Sequence, residues 1–152
     1  MKKILMIVVG VLCALTAFAQ TLTSPDGKMK MTFSLEKGGV PTYTLTYDGK
    51  EVVKPSRLGF EFVDNAYETY GYHDKKPERP VYSMREGFSQ LGSETATFDE
   101  TWEPVWGESN KIRNHYNELL VKLCRDERGF IINIRFRLYD DGLGFRYEFP
   151  HQ

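Results

Sequence analysis

The side chains best suited to chemistry are concentrated in one stretch. TWEPVWGESNKIRNHYNEL, Thr101 to Leu119, holds two Trp, a Tyr, a His, an Arg, three Asn and three Glu in nineteen residues. Trp102 and Trp106 offer flat faces that can stack on the apolar side of a pyranose, and Tyr116 adds a third ring. Arg113, Asn114, His115, Asn117 and Glu118 carry directional donors and acceptors that can satisfy hydroxyls. Glu103, Glu108 and Glu118 can be nominated as carboxylates for glycoside hydrolysis, where an acid and a base or nucleophile flank the scissile bond. Spacing along a loop does not set a carboxylate separation, so these residues argue for recognition more than for a catalytic pair. A second reading stands beside the first, in which the two Trp fill a core and the polar residues satisfy one another under a long connection. Large residues recur at neither 3.6 nor 2.0 for long, so the stretch reads as a recognition loop or a structural plug.

Other chemistry is excluded by what is missing. His73, His115 and His151 stand far apart, and the sequence has no CxxC, no HExxH and no loop of alternating acids, so no local metal motif is expected. No G-x-S-x-G elbow or Gly-rich phosphate loop is present, which removes the commoner hydrolase and nucleotide readings.

The first residues, MKKILMIVVGVLCALTAFAQ, have Lys2 and Lys3, an apolar run from Ile4 to Leu15 and a small-x-small signal at Ala17-Phe18-Ala19. This is a secretory leader over 1–19, cleaved before Gln20, and its apolar run is short for the roughly 20 residues that a bilayer span needs. No membrane anchor is expected after cleavage, and the expected location is periplasmic or secreted. Cys124 is then the one remaining Cys and reads as a small buried hydrophobe. Without Lys2 and Lys3 the 20 basic residues fall to 18 against 21 acidic, a formal charge of −3, which disfavours nucleic acid as a partner.

The elements that must position these residues are strands. KMKMTFSLE alternates with Met29, Met31, Phe33 and Leu35 on one face. TYTLTYDGKEVV continues with Tyr43, Leu45 and Tyr47 before the hairpin signal Asp48-Gly49. Short strands follow at Glu51 to Lys54, with Pro55-Ser56 interrupting the pairing, and around Leu58, Phe60 and Phe62. The Tyr-rich segment from Asp64 to Pro80 reads as an exposed excursion, followed by VYSM and by a strand over 94–101. Leu119, Val121 and Leu123, then Phe130 to Leu138 at every second residue, then Leu143, Phe145, Tyr147 and Phe149 predict a three-strand antiparallel meander. No amphipathic helix of ten or more residues competes, so the fold class is all-β. Because each strand offers one apolar face, an antiparallel β-sandwich is expected. The chain stops just after a strongly alternating strand, which predicts an incomplete domain with an open edge.

SPDGKMKMTFSL, GGVPTYTLTYDGKEVVKPSRLGF, TWEPVWGESNKIRNHYNEL and FRLYDDGLGFRYEFP together resemble the N-terminal domain of glycoside hydrolase family 97, the α-glucosidases and α-galactosidases of polysaccharide-utilising Bacteroidetes. The resemblance runs from about Ser24 to Pro150. It implies a galactose-mutarotase-like super-sandwich over 20–152, present here in part and followed in family members by a catalytic (β/α)₈ barrel. It implies that the acid, the base or nucleophile and most Ca²⁺-binding glutamates lie in that barrel. No catalytic or metal residue is therefore assigned, and Ca²⁺ is expected only in a complete family member. The resemblance makes Trp102, Trp106, Glu108, Arg113, Asn114, His115, Tyr116, Asn117 and Glu118 residues of a carbohydrate-binding or barrel-interface block. Expected partners are an α-linked oligosaccharide and a barrel supplied in cis or in trans. A stand-alone sugar-binding module and a purely structural docking domain are the alternatives.

Overall fold

The structure, a computed structural model, describes residues 19–63, 81–125 and 129–150. The leader, the Tyr-rich segment, His73 and His151 lie outside the described residues. The described residues form ten strands and no helix. β1 (Gln20–Thr23), β2 (Met29–Glu36), β3 (Val40–Tyr47) and β4 (Lys50–Arg57) make one antiparallel sheet in sequence order. β5 (Phe60–Val63) and β6 (Val81–Met84) form a separate ribbon. β7 (Phe88–Trp102), β8 (Ile112–Arg125), β9 (Phe130–Leu138) and β10 (Leu143–Glu148) make the second large sheet, ordered β10-β9-β8-β7. The all-β antiparallel sandwich expected from the alternation is the observed fold.

The two large sheets meet through the faces that the alternation marks. Met31, Phe33 and Leu45 from the first sheet pack with Leu119, Val121, Leu123, Ile132, Ile134, Phe136 and Leu138 from the second. Phe33 and Phe136 join the sheets with ring centroids 5.9 Å apart. Fully burying one such side chain is worth about 1.5–3 kcal/mol, which explains why strict alternation is kept here and abandoned elsewhere. At Asp48-Gly49 both residues have positive φ, 45° and 74°, as a two-residue type I′ hairpin requires.

Two sequence expectations need correction. Pro55 does not end its strand; β4 runs through it to Arg57 because β4 is an edge, where a missing N–H leaves no ladder bond unmade, and the register shifts beside it. The strand expected over 94–101 is also much longer, spanning Phe88–Trp102.

Three contacts tie the sandwich together at its ends. The β2–β3 turn reaches the start of β7, where the Gly87 N–H donates to the Gly38 carbonyl at 2.8 Å and the Phe88 N–H to the Gly39 carbonyl at 3.1 Å. Elsewhere the Asp26 N–H donates to the Asp140 carboxylate at 2.8 Å. The ribbon is held by the Gly59 N–H, which donates to the Tyr147 hydroxyl at 2.8 Å.

Candidate functional site

Most of the Thr101–Leu119 stretch is strand. β7 ends at Trp102, residues 103–111 form the connection, and β8 starts at Ile112. The reading of a loop without period holds for residues 103–111 and is corrected for the strand residues on either side. Thr101 pairs with Arg113, Asp99 with His115 and Thr97 with Asn117, so the two strands form a hairpin arm that runs on from the sheet. Its period was hidden because its outer part has no core to select apolar residues on one face; β7 is exposed at nearly every position after Phe88.

One irregularity decides which way the arm faces. Gln90 pairs with Leu123 and Gly92 with Lys122, leaving Leu91 as an extra, exposed residue. A one-residue bulge flips every later side chain to the opposite face. Phe88 therefore enters the core, whereas Phe98, also even-numbered, lies on the outer face against Tyr116 with stacked rings 5.2 Å apart.

The structure separates the nominated residues into three groups. Trp102, Trp106 and Glu108 are exposed in the outer arm and its connection, so the reading in which the Trp fill the core is wrong. Arg113 and His115 occupy the odd-numbered face of β8, where the Arg113 guanidinium donates to both Asp99 carboxylate oxygens at 2.8 and 2.7 Å. That fork holds the Asp99 carboxyl below its ordinary range. Asn117 ties the arm to β1, donating to the Thr23 carbonyl at 2.7 Å and accepting from the Thr97 hydroxyl at 2.8 Å.

Tyr116, Glu118 and half-buried Asn114 point the other way, onto the outer face of the sheet. Tyr116 is only 6% exposed, enclosed by Phe98, by Tyr139 at 5.1 Å and by the Arg137 guanidinium at 4.6 Å from its ring centre. Its faces are already covered, which removes it from the set of rings that can stack on a ligand. Glu118 bridges two cations: one oxygen accepts from Arg135 and the other from Arg137 Nε at 2.8 Å. Burial works against the charged carboxylate, yet the Arg137 and Arg135 hydrogen bonds outweigh it and lower its pKa. Glu148 extends the ladder, accepting from Arg135 Nε at 2.7 Å and from Arg146 Nε at 2.8 Å, and is held low chiefly by Arg135.

A carboxylate fixed between two guanidiniums is poorly suited to donate a proton. Glycosidase acids have raised pKa values, so Glu118 does not suit the role of the acid. Glu103 is an exposed loop residue 3.8 Å from Lys111. No group of three or more His, Cys, Asp or Glu among the described residues could hold a metal ion. The residues that sequence reasoning missed are Phe98, Arg135, Arg137, Tyr139 and Glu148. Arg135 and Arg137, alternating opposite the apolar face of β9, were the available signal.

These features define the class: an antiparallel β-sandwich domain whose chemistry-bearing residues sit on a projecting hairpin and on the outer face of its second sheet. The chain belongs to the family described as glycosyl-hydrolase 97 N-terminal, whose sequence profile matches residues 22–152. It is 30% identical over 150 residues to a retaining α-galactosidase of Bacteroides thetaiotaomicron, covering 97% of this chain and 19% of that protein. A family 97 enzyme of Pseudoalteromonas sp. strain K8, solved with acarbose, superposes with a TM-score of 0.71 at 27% identity over 88% of this chain and 18% of its own. A β-arabinopyranosidase shares the fold with a TM-score of 0.68 at 21% identity, again over 88% and 18%. The chain thus spans about a fifth of the length of these relatives.

Proposed function

We propose that this chain is the N-terminal accessory domain of a family 97 glycosidase acting on α-linked galactosides or glucosides, exported by its leader and without turnover of its own. The observation that carries the proposal is the arm, which holds Trp106 88% exposed and Val105 fully exposed at its end. An isolated domain gains nothing from apolar side chains held in water, whereas covering each is worth about 1.5–3 kcal/mol. The arm is therefore a reach toward a second body, and the catalytic barrel, supplied in cis or in trans, is that body. The α-galactosidase relative and the acarbose-bound enzyme support the substrate class.

The test is direct. The purified chain, assayed on p-nitrophenyl α-galactoside and α-glucoside with Ca²⁺, is expected to release no p-nitrophenol above the blank. Turnover above the blank would overturn the proposal.

The exposed, flat Trp106 ring also favours a second reading, a module that binds sugar alone. Calorimetry with maltotriose and galactosides at millimolar concentration decides it: heat that vanishes in Trp106→Ala supports this reading, and no heat removes it.

A further inference from the structure

We infer that Gln20 is a modification site: once the leader is removed, its α-amine closes onto its own side-chain amide, so that the sandwich begins with a neutral, blocked pyroglutamyl end. The inference rests on the export reading proposed above, in which cleavage falls between Ala19 and Gln20.

The position of Gln20 is the first observation. It is the first residue of β1, and Ala19 before it is exposed and outside the strand. Cleavage after the small-x-small signal at Ala17-Phe18-Ala19 therefore leaves no overhang, and the new amine stands at the end of the strand, in register with the fully buried Phe33. Alternation puts Gln20 on the same face as Leu22, a core residue, while Thr21 and Thr23 are exposed. An ammonium at this point is a charge at the rim of the core, where it is solvated less well than in open water. A lactam formed on the same nitrogen carries no charge.

The side chain is the second observation. Gln20 is half-buried, and its Oε1 is enclosed without a hydrogen-bond partner among the described residues. A buried acceptor without a donor destabilises the extended side chain, and no bond to that oxygen opposes its folding back on the backbone. Gln90 has the same unpartnered Oε1, but its backbone nitrogen is a peptide amide inside β7 and is no nucleophile. Only the residue that cleavage turns into a terminus gains the amine that the reaction needs.

The step requires no oxidant, reductant or co-reactant. The lone pair of the deprotonated α-amine attacks the side-chain carbonyl carbon Cδ. An N–Cδ bond forms, the Cδ–Nε2 bond breaks, and Nε2 leaves as ammonia with the proton that the amine gives up. Both reacting groups belong to one residue, so the amine acts at the high effective concentration of a tethered reactant. The product also protects the sheet. Chain ends are preferred sites of proteolysis, and trimming from Gln20 through Leu22 would remove most of a four-residue edge strand together with its core residue.

The experiment expresses the whole chain, leader included, in a bacterium with a periplasm, incubates the purified product at mildly alkaline pH, and reads its N-terminal peptide by fragmentation mass spectrometry. The expected peptide begins at residue 20 and lacks one ammonia, in a share that rises with incubation and escapes amine-reactive labelling of the denatured chain. Gln20→Ala behind the same leader should keep its full mass and label completely. Under an aminopeptidase the native wild type should retain residue 20 while Gln20→Ala loses its first residues, and equal digestion of the two would overturn the protective role. A peptide that begins at Gln20 with unchanged mass, or an ammonia loss that maps to an internal Asn or Gln, overturns the inference and leaves export intact. A chain that keeps its leader or begins at another residue overturns both.

Discussion

Replacing Glu118 with Gln keeps the shape of the side chain and removes the charge that joins two strands. Glu118 lies on β8, and its partners Arg135 and Arg137 on β9. Its side chain is 12% exposed against 23% and 37% for the two arginines, so the group is neither a surface pair nor a fully buried one. Breaking a buried pair costs about 3–5 kcal/mol, and an exposed pair contributes about 0.2–1. Arg135 keeps Glu148 in the variant, and the Arg137 guanidinium stays over the Tyr116 ring. The expected loss is therefore intermediate, about 2 kcal/mol, or about 1 M in the urea midpoint for a slope of about 2 kcal/mol/M.

The pH dependence gives the reasoning a sharper test. The folded-state pKa of Glu118 is lowered from 4.5, so its contribution is present above that ordinary value and is lost as pH falls through the lowered one. Urea midpoints of the wild type and Glu118→Gln should differ by a constant amount from pH 6 to 8 and converge below pH 4. A difference that persists unchanged into acid, or no difference at pH 7, would refute the account.

Three further outcomes follow from the packing. Phe136→Ala, which empties a fully buried site touching Phe33, Tyr43 and Phe145, should cost about 3–5 kcal/mol in urea denaturation; a loss below 1 would mean the sheets do not meet there. Gly39→Ala should destabilise much more than Gly27→Ala, although both have positive φ. A Cβ on Gly39 would lie 2.3 Å from the Phe88 carbonyl oxygen, whereas one on Gly27 meets nothing within 4 Å; equal melting temperatures would contradict the contact between the β2–β3 turn and β7. Trp106→Ala should leave the thermal midpoint of the isolated chain unchanged, within the about 0.5 kcal/mol typical of surface changes, and a clear drop would show that the ring packs on its own domain.

The inner layer was legible because burial imposes one rule on neighbouring residues. Leu119, Val121 and Leu123, and the alternate residues from Ile132 to Leu138, are all buried in the core they predict. The candidate site was legible only as composition. Trp102, Arg113 and Tyr116 were picked for their chemistry, yet one is exposed, one is locked to Asp99 and one is enclosed by rings. The difference lies in cross-strand partners distant in sequence: Phe98 reaches Tyr116 across the hairpin, while Tyr139 and Arg137 reach it from β9.

By itself, then, the sequence determined that most of these segments are strands, where Asp48-Gly49 turns the chain, and which residues of β2, β8 and β9 form the core, because alternation and turn chemistry are local properties; on β3 it placed Tyr47 with Leu45, whereas Tyr47 is exposed. Only the tertiary structure decided which way the arm's aromatic residues point. That depends on pairing register and on one extra residue, Leu91, whose bulge reverses the phase of everything beyond it on β7. A side-chain period states which residues share a face, and the partner strand decides what that face meets.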